Sequence, residues 1–143
     1  MYDSQLALAL TLRELGIVSL LSFDRKLMQR YVYLLQSVGY PLKYGFAWSM
    51  TSTYSEDLME DAVEVIPCLD SIPSDIHLEE PYFKVIELLK KLDGKRMEYE
   101  RPRLDWLERL VATAYGNDVD DDAKKEYDAF KKKAVKILGK KKK

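Results

Sequence analysis

Phe23 to Leu58, FDRKLMQRYVYLLQSVGYPLKYGFAWSMTSTYSEDL, decides the fold. Leu27, Met28, Tyr31, Leu34, Leu35 and Val38 recur three and four residues apart, which places them on one face of a helix. Gly39 ends that helix and Pro41 prevents its restart. Tyr44, Phe46, Trp48 and Met50 then alternate with Gly45, Ala47 and Ser49, the period of a strand buried on one side. Thr53 and Glu56 match a capping box ahead of a third helix over residues 55–65, with Leu58, Met59, Ala62 and Ile66 towards a core.

Working outward, residues 4–15 form an amphipathic first helix, closed by Gly16. Pro67 to Leu78 reads as a loop. Pro81 suits the first turn of a fourth helix whose stripe is Tyr82, Val85, Ile86, Leu89 and Leu92, ending at Asp93-Gly94. Lys95 to Tyr99 is expected to be a second strand that pairs with residues 44–50 as a wing. Leu104, Leu107, Leu110, Val111 and Ala114 define helix five, closed by Gly116-Asn117. Helix six opens on Asp118 to Asp122 and closes on lysines, an order of charge that complements the helix dipole. The expected fold is mainly α (α+β): a winged-helix-like core over residues 1–100 with a small β-hairpin, and two C-terminal helices over 101–143. The basic tail, 139–143, is expected to fray.

Composition bounds the function. At 143 residues the chain is one domain by size, able to bury about two-thirds of its unfolded surface. Its net charge of −1 conceals a strong asymmetry. Residues 51–80 carry nine acidic side chains and no lysine or arginine, whereas 81–143 carry eighteen basic and twelve acidic ones. Such segregation points to faces with different partners. Cys68 is alone, so no intrachain disulfide forms. The N-terminus lacks the basic and small-residue marks of a signal peptide, and no apolar run reaches the ~18–20 residues of a membrane span. The reading is of a soluble, cytoplasmic protein.

Several segments resemble a known family. Lys26-Leu27-Met28-Gln29-Arg30-Tyr31-Val32-Tyr33-Leu34-Leu35 is similar to the K-L-Q-K-x-x-Y-L-L helix of the YwgA-like proteins. Gly39-Tyr40-Pro41-Leu42, Tyr44-Gly45-Phe46 and Thr53-Tyr54-Ser55-Glu56-Asp57-Leu58 resemble that family's Y-x-F … Y-G-P-Y-S-x-x-L segment. Leu107 to Thr113 resembles its late L-E-L-L-A-T helix, and the Panacea antitoxin domain shows a more distant version of the pattern. Ser52-Thr53 departs from the family's usual Gly-Pro. The resemblance implies a winged-helix-like fold and, through the Panacea relatives, a regulatory or toxin-neutralising role exercised by protein contact. It implies no catalytic residues.

The residues themselves offer little chemistry. A single Cys68 and a single His77 are too few for zinc and make a weak nucleophile pair. Asp118, Asp120 and Asp122 have calcium-loop spacing, but Ala123 and Ala129 stand where Gly and Glu are required. No cofactor or metal is expected. The third helix presents Glu56, Asp57, Glu60, Asp61 and Glu64, where a groove-reading helix needs cations. These five are the candidate partner-binding residues, suited to a basic protein, in a non-enzymatic regulatory or adaptor role; the aromatic-rich first half also suits a homodimer. The alternative is a DNA-binding regulator that uses Lys90, Lys91, Lys95, Arg96, Arg101 and Arg103 around the wing, or the smaller set Arg25, Lys26, Arg30 and Lys43. A metal-dependent hydrolase built on the third helix is the remote alternative.

Overall fold

In the computed structural model, which describes residues 3–48, 53–117 and 120–141, six helices and one hairpin follow in the order α1 (Asp3–Leu15), α2 (Ser22–Ser37), β1 (Ala47–Trp48), β2 (Thr53–Tyr54), α3 (Glu56–Val65), α4 (Glu80–Gly94), α5 (Arg103–Tyr115) and α6 (Asp121–Lys141). Short 3-10 segments, Ile66–Ser71 and Lys95–Met97, continue α3 and α4. The fold is mainly α with a two-stranded antiparallel sheet.

Three helices end in the same way. Ile17 N–H donates to the Leu12 carbonyl at 2.9 Å, Tyr40 N–H to Leu35 at 3.1 Å, and Asn117 N–H to Ala112 at 2.9 Å. The residue between is Gly16, Gly39 or Gly116, each with positive φ. This is the Schellman closure, which needs a left-handed residue just past the helix and satisfies its last carbonyls. The expected stops at Gly16, Gly39 and Gly116 are therefore where the chain turns.

Gly94 behaves differently. The helix runs through it, the backbone continues as a 3-10 segment, and the left-handed closing position falls on Glu100, with φ 54°. The strand expected over Lys95–Tyr99 is thus replaced by helical turns. Met97 and Tyr99 do not share a face: Met97 is exposed, whereas the Tyr99 ring stacks on Trp106 at 5.3 Å. The expected strand rested on Met97 and Tyr99 two positions apart, an alternation too short to outweigh the helical continuation. The loop expected from Pro67 likewise begins as 3-10 helix.

The strand expected over 44–50 pairs locally instead. Ala47 faces Tyr54 and Trp48 faces Thr53. The predicted alternation holds in burial: Tyr44, Phe46 and Trp48 are half-buried, Gly45 and Ala47 exposed. Met50 lies outside the described residues. Because Thr53 is in β2, it does not cap α3. Ser55 does so, its Oγ accepting the Leu58 N–H at 3.2 Å, so the expected Thr53–Glu56 box does not form and the cap lies two residues later.

Two glutamines on α2 hold this segment at both ends. Gln36 accepts from Tyr44 N–H and donates to Tyr44 O, both at 2.9 Å. Gln29, seven residues earlier and so on the same side of the helix, accepts from Ser55 N–H at 2.8 Å and donates to Ser55 O at 3.0 Å. Each side-chain amide makes the pair of bonds that a neighbouring strand would make.

One hydrophobic cluster takes residues from all six helices. α4 packs most extensively on α6, and α2 on α5. Trp106 is fully buried, with its indole N–H donating to Leu92 O at 2.9 Å. The apolar stripe of α6, from Ala123 through Tyr127, Phe130 and Ala134 to Leu138, closes the other side. Among the described residues no helix is long and apolar enough to cross a membrane. Asp118 and Lys142–Lys143, at the expected opening of helix six and end of the tail, lie outside the described residues; the backbone of Lys140 and Lys141 belongs to α6.

Candidate functional site

α3 turns Leu58, Ala62 and Val65 inward and its acids outward. Glu56, Asp57, Glu60 and Glu64 are exposed, and Asp61 is half-buried. Glu56 and Asp57 sit in the first turn, where the helix dipole favours negative charge. Glu64 sits at the opposite end, where the dipole opposes it and the last turn has no basic residue. Two of the acids have neutral partners: Tyr44 Oη donates to Asp61 at 2.8 Å, and Gln5 Nε2 to Glu64 at 2.5 Å. Burial, followed by the Asp61 hydrogen bond and charge, pushes the Tyr44 phenol well above its ordinary value. Among the described residues none of the five carboxylates forms a salt bridge. Asp57 and Asp61 also line a surface cavity of about 320 Å³ with Lys43.

The six cations of the expected wing do not form one free surface. Lys90 pairs with Glu14 at 3.6 Å and Glu87 at 3.3 Å, and Lys95 with Glu98 at 3.1 Å. Arg101 donates to Asp120 at 2.8 Å and lies 3.6 Å from Asp122. Arg103 donates to Asp93 at 2.9 Å and also to the Tyr31 hydroxyl. Only Lys91 and Arg96 of this set have no ion pair among the described residues. The guanidiniums of Arg101 and Arg103 hold the start of α5 to its neighbours.

Sequence patterns did not reveal the carboxylates that receive those guanidiniums. Asp93 is buried at the end of α4, where it accepts from Tyr31 Oη at 2.7 Å as well as from Arg103. Burial, then the Asp93 hydrogen bond and charge, drive the Tyr31 hydroxyl well above its ordinary value. Asp120 is buried before α6, where it accepts the Ala123 N–H at 3.0 Å. Burial alone would raise the Asp120 carboxyl; hydrogen bonds from Arg101 and Ala123 and the charges of Arg101 and Arg109 outweigh it and hold the group below its ordinary value.

No family model matches this chain, and neither the curated proteins nor the solved structures include a significant match. The residues of its own surface therefore carry the functional argument.

The Cys68 thiol donates to the Glu64 carbonyl, and His77 is exposed in the loop before α4. Among the described residues no group of three or more His, Cys, Asp or Glu is placed to hold a metal ion. The smaller cationic set divides. Lys43 lies beside the acids of α3, whereas Arg25, Lys26 and Arg30 line one cavity on α2. That second grouping was visible in the sequence as charges four and five residues apart, but not the partner wall that makes it concave.

Proposed function

We propose that this chain is a non-enzymatic regulatory or adaptor protein that binds a basic protein partner through the acidic face of α3. The observation that carries the reading is the contrast in pairing. The carboxylates of Glu56, Asp57, Glu60, Asp61 and Glu64 have no cationic partner among the described residues, while Lys90, Lys95, Arg101 and Arg103 are each held by a carboxylate. Five acids along two and a half turns repel one another, and Glu64 also opposes the helix dipole. An approaching cationic surface relieves both and is drawn in electrostatically. The resemblance to the YwgA-like and Panacea families points the same way, towards action by protein contact.

A fluorescent peptide rich in arginine and lysine tests this directly. Its affinity for the full chain should drop about tenfold or more in the Glu60→Lys, Glu64→Lys double variant and weaken as ionic strength rises. Duplex DNA serves as the competing probe, with Lys91→Glu and Arg96→Glu as its variants, since these two cations have no ion pair among the described residues. DNA binding that responds to the cation variants, beside a peptide indifferent to the acids, would replace the protein-partner reading with the nucleic-acid one.

A further inference from the structure

The first turns of α2 form one wall of a cavity of about 350 Å³. Arg25, Lys26, Gln29 and Arg30 lie along that wall, and Thr53 and Tyr54 of β2 lie across from it. Arg30 is only 8% exposed, yet its charge is poorly met. Nη1 donates to the Lys26 carbonyl at 3.1 Å. Nη2 lies 3.8 Å from Glu108, beyond hydrogen-bond reach. Nε has no acceptor. Thr53, 3% exposed, likewise has no partner for its hydroxyl among the described residues. Of the three buried side-chain polar atoms without a partner among the described residues, two thus belong to residues of this one cavity. Buried polar groups are nearly always paired, and a buried cation without full pairing is costly. Burial pulls the Arg30 guanidinium below its ordinary value, with the Glu108 charge only opposing this.

We propose that this cavity binds a phosphate monoester borne on a small organic ligand, with Arg30 and Thr53 at its base and Arg25 and Lys26 at its mouth. Neither of the exposed pair has an ion-pair partner among the described residues. Three cations against the single Glu108 carboxylate leave two positive charges, and a phosphate monoester carries about −1.5 to −2 near neutral pH. Its terminal oxygens accept from a guanidinium fork, an ammonium and a hydroxyl, the donors assembled here. The space equals about twelve waters of liquid volume, more than a phosphate group fills and within the range of small-ligand sites. Half-exposed Tyr54 supplies an apolar wall for the organic portion. Glu108 is the resident anion, which holds Arg30 loosely until the ligand takes its place. This site is independent of the acidic face of α3.

Calorimetric titration of the full chain at about 0.15 M ionic strength tests the assignment, with inorganic phosphate, adenosine 5′-monophosphate, glycerol 3-phosphate and the matching adenosine and glycerol as probes. Phosphate and at least one ester should bind saturably, and adenosine and glycerol should not. Lys26→Gln and Arg25→Gln, both at exposed positions, should each weaken binding about tenfold with unchanged circular dichroism. Glu108→Gln should tighten it and enlarge the ligand-induced rise in Tm. Arg30 is too buried to carry the test alone. Absence of saturable binding by phosphate and both esters up to about 10 mM would overturn the proposal. So would affinities indifferent to Arg25 and Lys26, or weakened by Glu108→Gln.

Discussion

Asp120 shows how one side chain can tie three parts of a chain together. Its carboxylate accepts from Arg101 and from Ala123 N–H, and Arg109 lies 3.6 Å away. Its folded-state carboxyl is held below the ordinary value, so the unfolded chain takes up a proton first as the pH falls. The stabilisation is fully present above about pH 4, the unfolded value, and is lost progressively as the pH falls through the lower folded value. Asp120→Asn should therefore lower Tm at neutral pH, and its deficit relative to the parent should shrink between about pH 4 and pH 2 in thermal denaturation. A deficit independent of pH would show that the amide fails for steric reasons alone. Asp120 was legible only as one of a run of aspartates suited to a helix start. Its ion pairs reach back nineteen residues to Arg101, a distance over which spacing in the sequence carries no information.

The same limit operates on whole elements, where local signals were read well and competing ones less so. Gly16, Gly39 and Gly116 end their helices because a left-handed closing residue is needed at each and glycine adopts it at little cost. Gly94 was taken for another such stop. It stays helical, and the closing conformation passes to Glu100, whose side chain makes φ 54° unfavourable. Glu100→Gly should accordingly stabilise the protein by up to about 1 kcal/mol, measured by urea denaturation with an unchanged m-value. A loss of stability would mean that the glutamate has an offsetting interaction. The capping serine of α3 was missed for a related reason. Thr53 and Ser55 are both good cap residues, and the strand pairing of Thr53 with Trp48, which sequence periodicity does not locate, leaves Ser55 to act.

At the scale of the molecule, the apolar stripes of the helices were legible because burial imposes a period on them, while the way the stripes share one core was not. Trp106 illustrates this. It was not among the expected stripe of helix five, yet it is fully buried, donates to Leu92 of α4 and stacks on Tyr99. Trp106→Ala should cost about 3–5 kcal/mol, and the loss should appear as one cooperative transition by both circular dichroism and Trp48 fluorescence. Two separated transitions would mean that α5 and α6 unfold apart from the rest. The charge map was half legible: the acids of α3 are where their sequence put them, but Lys90, Arg101 and Arg103, assigned to a wing, pair with Glu14, Asp120 and Asp93, carboxylates that only the fold brings near. The glutamine pair on α2 was not legible at all, since its bonds are made to backbone. Both feet of the stretch from Tyr44 to Ser55 are pinned to one rod, so the entropy of bringing them together is already met before any strand forms. A ladder of two residues, too short to survive alone in water, can persist on that footing.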